Sequence, residues 1–263
     1  MTPGTTMPAE RDRDGCSPVE RAATPSQCAT LSIVIPAYNE EETIEALVRK
    51  VQAVELDGLQ KEIIIVDDRS TDGTRERLRQ FGSAIRVICH PRNLGKGAAV
   101  RSGFQAATGD ILIIQDADLE YDPQDYRRVI EPIRRGEADV VMGSRFLLQR
   151  PQFFRRNGQP FFSHFIGNAV IIWLTNFLYG FRATDYEGCY KAFSRQVILE
   201  TPVKASGFEF DNELICKLLR RKRRIAEVPI QYHPRLYREG KKIRWQHGLT
   251  MIWTILKWRV MPF

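Results

Sequence analysis

The sequence predicts an α/β fold on a mostly parallel sheet, and three observations point that way. Apolar runs of strand length alternate with helical periodicities over the first half of the chain. The runs end in polar clusters: Ala37-Tyr-Asn-Glu40, Asp67-Asp68, Asp116-Ala-Asp118 and Gly143-Ser-Arg145. Hydrophobic residues make up 43% and charged residues 27% of the 263, which is enough apolar material for the core of one large domain.

Each element follows from local pattern. Leu31-Ser-Ile-Val-Ile-Pro36 reads as a buried strand. Asn39 is expected to cap the next helix with Glu42 as its capping-box partner, since Ile44, Leu47, Val48 and Val51 then repeat with helical spacing. Strands are expected at 62–67, 84–89, 110–115 and 139–142. Helices are expected over 96–107 and, with Pro123 at its first position, from 123 to about 135. The second half is less regular. Phe161 to Tyr179 is apolar, 189–193 and 225–232 read as strands, and 208–220 and 245–258 read as helices. No internal repeat and no linker divides the chain. Ligands of such sheets bind beyond the carboxyl ends of the strands, where these polar clusters fall.

Charge is uneven. The net charge is +7 and the pI near 9.3, which points to anionic partners such as phosphates or a membrane surface. From Cys216 onward there are thirteen Lys and Arg against two Glu. Five cysteines without a C-x-x-C pair indicate neither a disulfide framework nor a zinc site, and a reducing cytosol is the simple reading. Residues 1–30, rich in Pro, Thr, Ser and charge, lack the apolar run of a signal peptide and read as a disordered tail.

The clusters also constrain chemistry. Asp116-x-Asp118 after a buried strand offers two carboxylates, and a turn must bring both near one ion. Mg²⁺ commonly takes one or two protein carboxylates plus substrate phosphates, so this triplet suits a nucleotide diphosphate. Alone it also fits an acidic turn. Asp67-Asp68 could accept from a base or ribose hydroxyl, or cap the helix beginning near Gly73-Thr74. Asn93-Leu-Gly-Lys-Gly97 is neither a Walker A motif nor a dinucleotide fingerprint, but a glycine-rich turn opening a helix allows close backbone approach to a ligand.

Taken together, Val34–Glu40, Ile65–Thr74, Asn93–Gly97, Gln115–Pro123 and Gly143–Phe146 resemble the inverting family 2 glycosyltransferases of GT-A fold, a Rossmann-like, mostly parallel sheet with flanking helices. The branch most similar is the dolichyl- and undecaprenyl-phosphate sugar synthases, which Thr184–Lys191, Phe208–Glu213 and Pro234–Ile243 also fit. The resemblance covers about residues 31–248. It implies a nucleotide-sugar site of Pro36, Tyr38, Glu40, Asp68, Lys96, Asp116 and Ala117. It places Asp118 on a Mg²⁺ or Mn²⁺ ion with Asp116 and Glu120, although the synthases commonly carry Gln where Glu120 stands. Arg145 would grip an acceptor phosphate. Arg235 or Arg238, with Lys241 and Lys242, would neutralise the donor diphosphate.

The acceptor decides whether a base is needed. A hydroxyl must lose a proton, for which Asp185 or Glu187 is placed, whereas a polyprenyl phosphate is already ionised and needs only cations. The resemblance implies the polyprenyl phosphate, with transfer to a saccharide or other soluble hydroxyl as the alternative. His164, Asn168 and Thr175 share one helical face, as do His247, Thr250, Thr254 and Lys257. The expectation is therefore a GT-A domain over 31–240 and an amphipathic, membrane-associating helix over 241–263, peripheral on the cytosolic face. A nucleic-acid binder rests on Arg220-Arg-Lys-Arg-Arg224 alone, with no recognised module, so no nucleic-acid partner is expected.

Overall fold

The computed structural model describes residues 30–147, 162–233 and 245–263, without the side chains of 162–165 and 245–246. Of the expected tail, residues 1–30, only Thr30 is described, and it belongs to β1; the proposed domain boundary near 240 lies outside the described residues.

Seven strands form one sheet in the order β3-β2-β1-β4-β6-β5-β7: β1 (Thr30–Ala37), β2 (Gln60–Asp67), β3 (Arg86–Cys89), β4 (Ile111–Ile114), β5 (Val140–Ser144), β6 (Lys191–Ser194) and β7 (Ile225–Pro229). All neighbours are parallel except β6, which runs against both β4 and β5. The start of β6 therefore lies at the sheet edge where the parallel strands end. The helices are α1 (Ile44–Ala53), α2 (Thr74–Arg79), α3 (Lys96–Ala106), α4 (Tyr126–Arg134), α5 (Phe162–Tyr179), α6 (Arg195–Glu200), α7 (Phe210–Arg220) and α8 (Trp245–Val260). The central strands are apolar on both faces because the sheet is covered on both sides; Leu31, Ile33, Val34, Ile35, Ile64 and Ile65 are all buried.

Two local expectations change. Asn39 does not cap α1. Its φ is +51°, its Oδ1 accepts from Thr71 N at 2.8 Å, and α1 begins only at Ile44. Asn tolerates the left-handed conformation, and that conformation turns the chain at the end of β1 so that the side chain ties β1 to the loop after β2. The short helices α2 and α6, six residues each, were not legible as helical periodicity. Pro123 opens a 3₁₀ turn capped by Asp122, which accepts from Gln124 N, before α4 begins.

The later helices are two-faced in an unexpected sense. On α5, Thr175 is buried, while Ile166, Val170, Trp173 and Phe177 point outward at i, i+4, i+7 and i+11. On α8, Thr254 is buried with Met251, Ile255 and Trp258, and Leu249, Trp253, Leu256 and Val260 repeat the same outward spacing. Trp173, Phe177 and Trp253 are 64%, 72% and 65% exposed. The side chain of His164 lies outside the described residues. Of the two stripes read as polar, Thr175 and Thr254 are drawn inward, Asn168, His247 and Lys257 are half-buried and Thr250 is exposed, while the most exposed stripe on each helix is apolar, opposite to a helix bordering water. Ile171, Cys216, Met251, Ile255 and Trp258 form a small core joining α5, α7 and α8. Tyr179 OH donates to Ile255 O at 2.8 Å, and Lys217 Nζ stands 3.9 Å from the Trp258 ring centre. No helix among the described residues is long and apolar enough to cross a membrane.

Candidate active site

The carboxyl ends of β1, β2, β4 and β5 and the start of β6 share one edge, and the predicted polar clusters meet there. The β1 end is laced to the loop after β2. Asn39 N donates to Ser70 Oγ (3.0 Å), Glu40 N to Thr74 Oγ1 (2.9 Å), Glu41 N to Asp72 Oδ2 (3.1 Å) and Gly73 N to Glu41 Oε2 (3.0 Å). Pro36, Tyr38 and Glu40 sit half-buried along this edge. Thr43 Oγ1 hydrogen-bonds Ala117 O (2.8 Å) and Glu40 Oε2 (3.0 Å), which joins this edge to the Asp-x-Asp turn.

Asp67 and Asp68 behave differently. Asp67 is buried against Arg75, whose Nε donates to its Oδ2 at 2.5 Å, and its Oδ1 accepts from Ser70 N. Asp68 fixes the glycine-rich loop: its Oδ1 accepts from Leu94 N (2.8 Å) and its Oδ2 from Gly95 N (2.7 Å). His90 Nδ1 lies 2.7 Å from Asp68 Oδ1, and its Nε2 lies 2.9 Å from Ser102 Oγ. His90 was not singled out from the sequence, because a lone His after a strand carries no pattern.

After β4 the chain turns through Asp116–Glu120, with Leu119 at φ +59°. This supplies the turn that an Asp-x-Asp needs. Gln115, wholly buried, holds the turn from behind: Tyr126 OH and Tyr190 OH donate to its Oε1 (2.7 and 2.8 Å), and its Nε2 donates to Asp116 O (2.9 Å). Asp116 N donates to the buried Cys189 Sγ (3.0 Å), and Lys96 Nζ pairs with Asp116 Oδ1 at 2.7 Å. Burial works against both charges, but each holds the other ionised, so Asp116 lies below the usual carboxylate range and Lys96 well above the usual ammonium range. Asp118 Oδ1 accepts from Glu120 N (3.2 Å), and Glu120 is also engaged by the Tyr232 hydroxyl. Among the described residues no three His, Cys, Asp or Glu side chains are gathered to hold a metal by themselves. Two hard carboxylates on one turn fit Mg²⁺ or Mn²⁺ in the mode where substrate phosphate completes the shell.

Arg145, at the end of β5, is half-buried and bound by Asp185. Its Nε donates to Oδ2 (2.7 Å), its Nη2 to Oδ1 (2.9 Å) and its backbone N to Oδ2 (3.2 Å). Glu187 N and Gly188 N also donate to Asp185 Oδ1, at 3.0 and 3.1 Å. Burial opposes ionisation of Asp185, but Arg145 and these donors outweigh it and its pKa is lowered. The guanidinium also lies against two rings, 5.2 Å from the Tyr232 centre and 5.4 Å from that of Phe146. Glu187 differs: burial raises its pKa, and Asn212 Nδ2 donates to it at 2.8 Å. Nearby, the wholly buried Lys191 donates to Gly188 O (2.6 Å) and lies 3.3 Å from Asp211. Arg235, Arg238, Lys241 and Lys242 lie outside the described residues. The chain leads toward them through His233, whose N donates to Glu120 O at 2.8 Å, and through a bridge between Tyr121 and Tyr232.

Residues 32–200 match the family described as Glycosyl transferase family 2. The dolichol-phosphate mannosyltransferase of Pyrococcus furiosus is 30% identical over 234 residues, 87% of this chain and 64% of that protein. The UDP-N-acetylglucosamine–dolichyl-phosphate N-acetylglucosaminyltransferase of Methanococcus voltae is 30% identical over 219 residues, 76% of this chain and 84% of that one. The low-salt glycan biosynthesis hexosyltransferase Agl6 of Haloferax volcanii is 31% identical over 206 residues, 78% of this chain but 48% of that protein. The chain therefore spans only about half to two thirds of the length of some of these relatives. Among solved structures, glucosyl-3-phosphoglycerate synthase from Mycobacterium tuberculosis, in complex with Mn²⁺, UDP and phosphoglyceric acid, superposes with a TM-score of 0.68 at 25% identity, covering 89% of this chain and 80% of that one. With a match running from β1 through α6 and a fold shared over most of its length, the chain belongs to glycosyltransferase family 2 and has the GT-A fold.

Proposed function

We propose that the protein transfers a sugar from a nucleotide diphosphate donor to a polyprenyl phosphate, with inversion at the anomeric carbon and with Mg²⁺ or Mn²⁺ as cofactor. The observation that carries this reading is the Arg145–Asp185 pair. Asp185 accepts five hydrogen bonds and its pKa is lowered, so it is a poor proton acceptor. Its role in this reading is to orient Arg145. A guanidinium has five N–H donors, and the two side-chain bonds to Asp185 leave three for an acceptor phosphate. An ionised phosphate needs positioning and no base.

On the donor side, Pro36, Tyr38, Glu40 and Asp68 line the nucleoside position, with Ala117 beside them, and Lys96 stands next to Asp116. A divalent ion on Asp116 and Asp118, with or without Glu120, would neutralise charge on the leaving diphosphate. Arg235 or Arg238, with Lys241 and Lys242, add positive charge on that side. The outward apolar stripes of α5 and α8 dock the protein on an anionic, cytosol-facing membrane surface, where basic residues of the later chain attract head groups. Large exposed apolar patches mark such contacts. Dolichol or dolichyl phosphate is named for two relatives, which supports this choice of acceptor.

A second reading has one observation in its favour. Glu187 has a raised pKa close to Asp185, as a base for a hydroxyl acceptor requires. One assay separates the two. Purified protein is incubated with Mn²⁺ or Mg²⁺, a panel of nucleotide sugars and either a short polyprenyl phosphate or soluble saccharides, and nucleotide diphosphate release is followed. Release that depends on the lipid phosphate and falls about 100-fold or more in Asp118→Ala is the expected result. Release with saccharides alone, abolished in Glu187→Gln, would overturn the phosphate acceptor.

A further inference from the structure

We infer that Lys96 is the resident cation of the Asp-x-Asp turn in the donor-free protein, and that it makes metal binding depend on the nucleotide diphosphate arriving with the metal. This rests on the metal-dependent reading above. It adds a role for this chain's own lysine in opposing the bare ion.

The ammonium is placed by rigid surroundings. Lys96 is the first residue of α3, and the loop before it is fixed by the Asp68 carboxylate through Leu94 N and Gly95 N. Gly95 has φ +93°, and a Cβ there would stand 2.4 Å from Ser206 O. A Cβ at Gly97 would stand 2.7 Å from Phe210 Cβ and 2.9 Å from two backbone oxygens. The flanking glycines therefore let the loop press directly on residues 205–207, where Ala98 N donates to Ser206 O (3.2 Å). That segment is fixed in turn by Glu213, which accepts from Lys204 N (3.0 Å) and Ala205 N (2.8 Å) and pairs with the buried Lys217 at 2.6 Å. Lys96 thus projects from a base clamped on two sides, and its ammonium lies 2.7 Å from Asp116 Oδ1 with both side chains less than a quarter exposed.

A divalent ion approaching Asp116 meets a positive charge already seated on it, and like charges at contact distance in a part-buried site repel strongly. With one of its two carboxylates paired to Lys96 and no third acidic ligand gathered among the described residues, the turn is a weak site for a free ion. A nucleotide diphosphate removes the conflict. Its oxygens give the metal further ligands and give the ammonium a second anion, so the three charges balance. Lys96 then favours the metal–diphosphate pair over the metal alone.

Mn²⁺ binding measured by electron paramagnetic resonance, without and with UDP, tests this without turnover. Wild type is expected to bind Mn²⁺ weakly alone and much more tightly with UDP. Lys96→Met is expected to bind Mn²⁺ alone about tenfold or more tighter, and to lose most of the gain from UDP. Lys96→Arg keeps the charge and is expected to behave as wild type. In an Asp116→Asn background the Lys96→Met effect should vanish, since the shared carboxylate is gone. Equal Mn²⁺ affinity in wild type and Lys96→Met, with or without UDP, overturns the inference while leaving the metal site standing. If Lys96→Met fails to fold, Lys96→Gln is measured in its place and read in the same way. No Mn²⁺ bound by wild type even with UDP overturns both the metal reading and this one.

Discussion

In β1, β2 and β4 the apolar side chains turn inward and the polar ones gather in loops tied by hydrogen bonds, whereas in α5 and α8 Thr175 and Thr254 are drawn in and Trp173, Phe177 and Trp253 face out. Both regions obey the same rule, that apolar surface leaves water. They differ in where the non-aqueous phase lies. For the sheet it is the protein's own core. For the helix pair no protein group among the described residues covers the stripe, and the proposed membrane surface supplies that phase. In the proposed function, the donor-side edge serves water-borne chemistry and the helix pair serves the membrane interface.

Breaking this contrast at the helix pair should have the largest effect. Replacing Trp173 and Trp253 together by Glu removes two large apolar groups, each worth about 1.5–3 kcal/mol on burial, and adds charge repelled by acidic lipid. Partition onto anionic vesicles, measured by sedimentation, is expected to fall by about two orders of magnitude or more. Unchanged partition would make α5 and α8 ordinary surface helices and remove the distinction.

Gly97→Ala probes the donor side. Helix propensity alone favours Ala by about 0.8–1 kcal/mol. The added methyl, however, meets Phe210 Cβ and two backbone oxygens, none of which is a flexible tip. The overlap is expected to win, with a net loss of about 1–2 kcal/mol and a melting temperature lower by several degrees. A stabilised variant would show the loop to be looser than its contacts imply.

Glu187→Gln should have the smallest effect, and it sharpens the comparison at the junction of the two regions. Burial raises the Glu187 pKa above its unfolded value, so the ionised carboxylate costs folding stability at pH above the folded pKa, and that cost disappears below the unfolded value of about 4.3. Gln has no such titration and keeps an oxygen for Asn212 Nδ2. The variant is expected to melt slightly higher than wild type at pH 8, with the difference fading toward pH 4.

The sheet was largely legible because its central strands are buried on both faces and read as apolar runs, as in Ile63–Val66. α6 was not, since six residues hold too little of a 3.6-residue period; α2 was marked only by its start near Gly73-Thr74, and Asn39 was misread because a left-handed Asn and a helix cap share the same local sequence. The candidate site residues carried by motif, Asp68, Asp116, Asp118 and Arg145, fall on one edge. What sequence could not supply is pairing across long separations. Arg145 with Asp185, Lys96 with Asp116, and Gln115 beneath Tyr126 and Tyr190 are contacts between residues whose types alone do not indicate partners. The direction of the α5 and α8 stripes was also hidden, because the spacing defines a face without saying which way it points.

All four tryptophans, Trp173, Trp245, Trp253 and Trp258, lie in α5 and α8, and none lies in the sheet. Trp258 is shielded while Trp173 and Trp253 stand in solvent. The indole emission of the unlabelled protein therefore reports the polarity around these two helices and is blind to events confined to the donor edge. Titrating vesicles against nucleotide would give two optically separable signals, a blue shift for the first and silence for the second.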